Sequence, residues 1–497
     1  MRFKIISAEE AAGFIHNGDV IGCSGFTAAG CPKAVTEALA KRAEVEHEKG
    51  NEFKIGLFTG ASTGDSIDGV LARAKAIKFR SPYQSSPDLR KAINEHELEY
   101  FDLHLSELPR LLRQGFLPRP NFAILEACDL TDDGKVILTA AVGIAPAIAD
   151  LADHIIIELN RYHPKALAGI HDIYDVKNPP QTTVIPISRV SDRIGKPYLQ
   201  VDPDKIIGVV ETNRPNETGG FVPSDEITQK IGANVADFLS VEMKAGRIPQ
   251  TFLPVQSGVG NIANAVLEAM GSHKDIPAFE VYTEVIQDAV IELMEREAVK
   301  FASGCSLTLS RRALETVYSK LDDYKKKIVL RPQSISNSPE IARRLGLIAI
   351  NTAIEADILG NVNSTHVMGT RMMNGIGGSG DFCRNVELSI FTSPSTAKSR
   401  NISAIVPFVS HVDHSEHSVK ILVTEYGVAD LRGLSPRQRA AIIIEKCAHP
   451  DYKGLLKEYL DLGVKGQTPH HLGACYAFHR TFQKTGNMRD VNWKDFQ

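Results

Sequence analysis

The chain has 497 residues, with 56 Lys and Arg against 60 Asp and Glu, a formal net charge of −4. Hydrophobic residues make up 43% and charged residues 23%, which excludes a disordered or collagen-like chain and leaves an ordinary globular protein of two or three domains. Near-neutral charge gives no reason to expect a nucleic-acid partner. No apolar stretch approaches the ~20 residues of a membrane span, and Met1-Arg-Phe-Lys-Ile-Ile-Ser lacks the apolar core of a secretory signal. Seven scattered cysteines, odd in number and never paired as C-x-x-C, point to reduced thiols in the cytoplasm and away from disulfides or zinc.

Strand-like apolar runs alternate with helical patterns along the chain. Asp19-Val-Ile-Gly-Cys-Ser-Gly precedes a helical pattern over Pro32 to Arg42, and Phe53-Lys-Ile-Gly-Leu-Phe-Thr-Gly follows. Phe122-Ala-Ile-Leu-Glu-Ala and His154-Ile-Ile-Ile-Glu-Leu continue the series. This rhythm predicts parallel strands with crossover helices, an α/β fold. The polar stretch from Glu211 to Gly220 reads as a linker, Asp225 to Gly246 as an amphipathic helix, and the rhythm then restarts. The restart echoes the beginning: Val20-Ile-Gly-Cys-Ser-Gly corresponds to Leu253-Pro-Val-Gln-Ser-Gly, and the next strand ends near Thr59-Gly60 in one half and Thr283-Glu284 in the other. We therefore expect two similar open α/β domains, residues 1–217 and 218–497. The asymmetry of Gly60 against Glu284 places chemistry in the second, at the carboxyl end of a strand.

Several blocks are candidates for that chemistry. Met373-Asn374-Gly-Ile-Gly-Gly378-Ser-Gly-Asp-Phe carries four glycines in six positions, suited to a long turn or to backbone N–H groups facing an anion. Gly258-Val259-Gly260-Asn261-Ile262-Ala263 is either a tight strand-to-helix turn or a helix N-terminus open to phosphate. Glu284 precedes a helix running roughly from Gln287 to Arg296 and shares a strand face with Tyr282; alone, it reads as a helix-initiating acid. Asn337 or Ser338 suits the N-cap of the following helix, and Glu425 sits at another strand end before a turn. His411-Val-Asp-His414-Ser-Glu-His417 could suggest a metal, but no further cluster completes a ligand set; a polar loop with one or two buried histidines is expected, and no metal. Lys398 is a cation in a turn, facing phosphate or water.

These blocks, with Ser24-Gly-Phe-Thr, Ser336-Asn-Ser-Pro-Glu, Gly360-Asn-Val-Asn-Ser-Thr-His and Ala429-Asp-Leu-Arg-Gly-Leu-Ser-Pro, resemble the acetyl-CoA hydrolase/transferase family of class I CoA-transferases. The resemblance spans nearly the whole chain and is closest to the succinyl-CoA:acetate and propionyl-CoA:succinate subgroup. It implies that Glu284 is a nucleophile forming a glutamyl-CoA thioester. It further implies that Asn337 and Glu425 support it, and that Val259, Gly260, Asn261, Ile262, Ala263, Asn374, Gly378 and Lys398 contact coenzyme A. Backbone N–H groups of Gly260 and Gly378 would then stabilise oxyanions. Tyr426 stands where many relatives have Gln, which bears on the acyl pocket beside Glu425. The expected reaction is CoA transfer between a short-chain acyl-CoA and acetate, propionate or succinate, with no tightly bound cofactor, in a homodimer. The alternatives are an acyl-CoA hydrolase using the same glutamate and a non-catalytic CoA-binding protein.

Overall fold

A computed structural model describes residues 2–219, 223–463 and 465–496. The first sheet contains β1 (Val20–Cys23), β2 (Ile55–Phe58), β3 (Ile77–Ser81), β4 (Glu99–Tyr100), β5 (Phe122–Leu130), β6 (His154–Asn160) and β7 (Ile206–Thr212). These strands lie in the spatial order 4-3-2-1-5-6-7, and every neighbouring pair is parallel. Lys135–Leu138 and Leu199–Gln200 extend the sheet as short antiparallel strands beyond β5.

The second sheet contains β8 (Val255–Ser257), β9 (Phe279–Tyr282), β10 (Val299–Gly304), β11 (Ile328–Leu330), β12 (Ile348–Thr352), β13 (Leu388–Thr392), β14 (Ile421–Thr424) and β15 (Gly427–Asp430). Its order is 11-10-9-8-12-13-14, again all parallel, with β15 antiparallel at the edge. The winding of the first sheet is thus repeated strand for strand, as the sequence echo predicts. Strands such as β1, β2 and β8 are buried along their whole length because helices cover both faces, which is why they read as continuous apolar runs.

The predicted linker over Glu211 to Gly220 reaches beyond the described residues at Gly220; the helix Glu226–Lys244 has its first turn closed by a reciprocal cap between Asp225 and Thr228. One apolar core runs through both halves, from Val20 and Ile157 to Ile291 and Ile348. A separate cluster around Ile443, Tyr452, Tyr459 and Phe478 holds three C-terminal helices, Pro436–Cys447, Pro450–Leu462 and Ala477–Thr485. No described helix is long and apolar enough to cross a membrane.

A buried ion pair fastens the halves together. Arg331 follows β11 and meets Asp172 of the first half; both are fully buried. Its guanidinium also donates to Ser303 Oγ (2.8 Å) and Val190 O (3.2 Å). Asp172 in turn accepts from the N–H groups of Ile194 (2.9 Å) and Gly195 (2.6 Å). Removing one partner of such a pair strands a charge in a dry interior. Asp172→Ala should therefore lower the melting temperature by roughly 5 °C or more in a thermal scan; an unchanged melting point would show that Arg331 does not need its carboxylate.

Candidate active site

Glu284 stands two residues beyond the end of β9, and its backbone is held from both sides. Thr283 N–H donates to Ser303 O (2.9 Å), and Thr283 Oγ1 donates to Ser257 O (3.0 Å). The carbonyl of Glu284 accepts from the N–H groups of Cys305 (2.7 Å) and Ser306 (3.2 Å). Tyr282 is buried, its hydroxyl donating to Ile335 O (2.6 Å), and the Glu284 side chain leaves on that same side toward Asn337. The strand ends at Tyr282, so Glu284 sits in the bend that follows it and not on the strand itself.

Asn337 ends the short helix Gln333–Ser336, and its Nδ2 donates to Glu284 Oε1 at 3.0 Å. Ser338, and not Asn337, caps the following helix Pro339–Leu345. Gly378 approaches the same Glu284 oxygen beside Asn337. Its φ of −92° suits any residue, but a methyl group there would overlap Glu284 Oε1 and Asn337 Nδ2. The glycine is required by space and not by backbone conformation.

The glycine-rich segment belongs to the second half but is tied to the first. Asn94 exchanges hydrogen bonds with the backbone of Met372 (2.9 Å each way), and Arg90 Nε donates to Met373 O (2.6 Å). Tyr100 OH donates to Asn374 O (2.5 Å), Ile376 N–H to Asp102 Oδ2 (2.7 Å) and Leu105 N–H to Gly377 O (3.3 Å). Gly375 (φ +145°) and Gly377 (φ +58°) let the chain follow this path.

A cavity of about 570 Å³ opens above Glu284. Its walls come from the carboxyl ends of strands in both sheets and the loops that follow them: Phe26 to Ala28, Ala61 to Asp65 and Tyr83 from the first, Gly258, Val259, Glu284 and Asn351 from the second. Thr27 (φ +52°) and Ala28 (φ +64°) adopt the left-handed region, costly for a β-branched residue, and this brings Thr27 Oγ1 to Thr308 Oγ1 across the cavity. Burial pushes the Glu284 carboxyl up to about 7, against the Asn337 hydrogen bond, which favours the anion. Behind Asn337, burial raises Asp381 to about 8 despite hydrogen bonds from Ser106.

Of the other residues singled out in the sequence, Val259, Asn374 and Gly378 line this cavity. Gly260 (φ +111°) is the N-cap of the helix Asn261–Ser272, as a strand-to-helix turn requires, but its N–H donates to Gln287 Oε1 (3.3 Å) and not toward Glu284. Asn261 and Ile262 are half-buried in that helix's first turn, and Ala263 is buried. Gly260 to Ala263 and Asn337 lie behind the cavity lining, and Glu425 and Lys398 are held elsewhere. Glu425 accepts from Ser395 N–H (2.9 Å) and Oγ (2.5 Å), and Lys398 rests its ammonium over the Phe482 ring (5.3 Å). Tyr426 packs edge-on against His449, also away from the cavity lining. His414 is buried and hydrogen-bonded to Ser379 Oγ (3.0 Å), the place the polar-loop reading gives it. Asp381 and Ser106 were not singled out by the sequence.

The model of the acetyl-CoA hydrolase/transferase N-terminal domain matches residues 2–211, and that of the C-terminal domain matches residues 314–460. The chain belongs to the acetyl-CoA hydrolase/transferase family. It is 48% identical to the propanoyl-CoA:succinate CoA transferase of Escherichia coli, over 97% of this chain and 98% of that one. It is 46% identical to the succinyl-CoA:acetate CoA-transferase of Clostridium kluyveri, over 98% and 90%. An acetyl-CoA hydrolase of Schizosaccharomyces pombe is 44% identical over 97% and 95%. Among solved structures, RipA from Yersinia pestis shares the fold with a TM-score of 0.71 at 22% identity, covering 92% of this chain and 96% of that one. A 4-hydroxybutyrate CoA-transferase from Porphyromonas gingivalis does so at 0.63 and 21%, covering 92% and 97%.

The raised proton affinity of Glu284 has a consequence for stability. An unfolded glutamate loses its proton near pH 4.5, whereas the folded chain keeps it to about 7. Stability from this group is therefore lost as pH rises between those values, and above about 7 the fold carries a half-buried anion. Glu284→Gln should melt at a higher temperature than the wild type at pH 8, with the difference shrinking at pH 5. An equal difference at both values would contradict the half-buried-carboxylate reading.

Proposed function

We propose that this chain is a CoA-transferase that moves coenzyme A between a short-chain acyl-CoA and a carboxylic acid of the acetate, propionate or succinate class. The observation that carries this reading is the placement of Glu284: a carboxylate at the floor of a cavity lined by both halves, against a glycine backbone and an amide donor. In this scheme Glu284 attacks the thioester carbonyl, giving an acyl-glutamyl anhydride and free CoA thiolate. The thiolate attacks the glutamyl carbonyl, releasing the first carboxylate and leaving a glutamyl-CoA thioester. The acceptor carboxylate attacks that thioester and expels the thiolate, which then takes the acyl group from the new anhydride and frees Glu284. Above about pH 7, where Glu284 has lost its proton, each attacking group is an anion, so no strong general base is needed.

Carboxylates are weak nucleophiles, so the tetrahedral oxyanions must be stabilised. The N–H of Gly378 and the amide of Asn337 are the donors assigned here, each worth about 3 kcal/mol. Gly260 N–H is occupied by Gln287, so Gly260 is assigned to turn geometry and to the coenzyme side of the cavity. Val259 to Ala263 and Asn374 are assigned to coenzyme A. The contacts between Glu425 and Ser395 couple the turn after β14 to the segment bearing Lys398. Closure around CoA brings both loops to the cavity in this scheme, so that remote binding energy presses the thioester onto Glu284. We assign residues 1–217 and 218–497 as the two domains that flank the cavity, and a homodimer in the cytoplasm. The dimer rests on the family resemblance; seven free, buried thiols support a reducing compartment.

Hydrolysis is the second reading, favoured by the hydrolase name of the S. pombe relative. There water, and not an acceptor acid, resolves the glutamyl intermediate. Acyl-CoA turnover measured with and without added carboxylate separates the two. The transferase reading expects CoA release without acceptor to be at least about 100-fold slower than exchange, and expects Glu284→Ala to abolish exchange. Acceptor-independent turnover as fast as exchange would establish a hydrolase, and exchange surviving in the alanine variant would remove the covalent scheme altogether.

A further inference from the structure

Asp381 has no part in the scheme above, yet it is buried directly behind Asn337. Its Oδ1 accepts from Ser106 Oγ (2.5 Å), and its Oδ2 accepts from Ser106 N–H (3.1 Å) and from Asn337 Nδ2 (3.3 Å). The same Asn337 nitrogen gives its other hydrogen to Glu284 Oε1, while the amide oxygen accepts from Ser336 Oγ (2.9 Å). Two acceptors therefore converge on the NH2 end of one amide, and a hydroxyl donor holds its oxygen end.

The orientation matters because an amide is nearly symmetric in shape and opposite in polarity at its two ends. Turned over, Asn337 would set a carbonyl oxygen against the Glu284 carboxylate and against any oxyanion formed there. Glu284 cannot fix the amide alone, since in the proposed reaction its carboxylate is repeatedly replaced by an anhydride or thioester. Asp381 is chemically unchanged throughout and is anchored by Ser106, a first-half residue 275 positions away.

We propose that Asp381 is a positioning residue, which keeps the NH2 group of Asn337 aimed at position 284 through every stage of turnover. This rests on the assignment of Glu284 as nucleophile. What the role requires is an acceptor oxygen at Oδ2, not a negative charge. Because Oδ2 faces two N–H donors, a proton taken up by the buried carboxyl would sit on Oδ1 and point at Ser106 Oγ, leaving Oδ2 free to accept. An asparagine at 381 reproduces that arrangement, with its NH2 toward Ser106 Oγ. A leucine fills the same volume and offers no acceptor.

The test compares Asp381→Asn, Asp381→Leu and Ser106→Ala with the wild type in steady-state CoA exchange, alongside melting temperatures. Asp381→Leu should lower kcat by about 30-fold or more with KM for acyl-CoA within about twofold, because the defect is in orientation and not in substrate binding. Asp381→Asn should keep kcat within about threefold, and Ser106→Ala, which removes one of three donors to Asp381, should cost about threefold to tenfold. The proposal is overturned if Asp381→Leu matches the wild type, if the asparagine variant falls as far as the leucine variant, or if the loss lies in KM. Should Asp381→Leu fail to fold, an unchanged kcat in Ser106→Ala overturns it. Glu284→Gln in the same assay separates the premise: exchange there at the wild-type rate would sink the nucleophile assignment whatever the 381 variants do.

Discussion

The site depends on one steric and electrostatic constraint: a carboxylate enclosed at a strand end against a residue that has no room for a methyl group. The Gly378 backbone and the Asn337 amide both crowd Glu284 Oε1. Enclosure removes water from the carboxyl and raises its proton affinity. In the proposed scheme the same enclosure serves a group that reacts with a thioester in competition with water. The surrounding structure fixes the walls: β8 and β10 pin the Glu284 backbone, and the first half grips the glycine-rich segment from Met372 to Gly377.

Two sheets of identical winding serve this site unequally. In the first half, the helix after β1 (Ala34–Glu48) has its N-terminal region occupied from within, because Glu158 accepts from the N–H groups of Lys33 (2.8 Å), Ala34 (2.9 Å) and Val35 (3.3 Å). In the second half, the corresponding helix starts at Gly260, where open space would surround an added methyl group. Gly60, which stands where the second half has Glu284, backs onto Gly25 O and Gln333 Oε1 and has no room for a side chain. The first half leaves no room for a side chain at this position, whereas the second places a carboxylate at the carboxyl end of a strand, where open α/β sheets bind ligands.

What the sequence revealed follows from how local each signal is. The α/β rhythm and the helix expected over Asp225 to Gly246 are written in short-range apolar patterning and are present in the structure, whereas the strand order shared by the two sheets is a non-local property that the echo between the halves only hints at. Glu284 was legible because a strand end, a helix start and a family motif coincide on it. Asn337 was legible only as a motif position; its local signal suggested a helix cap, a task that Ser338 performs. Ser106 and Asp381 meet across 275 residues, and no periodicity records such a contact. For Glu425 and Lys398, motif position and observed contacts diverge: Ser395 and Phe482 hold them outside the cavity wall. Gly260 shows the same limit, since nothing in Gly-x-Gly reveals that Gln287 will take its N–H.

The most direct measurement is reductive trapping. The full-length protein is incubated with an acyl-CoA, treated with borohydride and digested, and the peptide containing position 284 is weighed. Conversion of Glu284 to the alcohol expected from a reduced glutamyl thioester, dependent on acyl-CoA and absent without it, is the predicted result. An unmodified peptide recovered from enzyme that is visibly exchanging CoA would contradict the account.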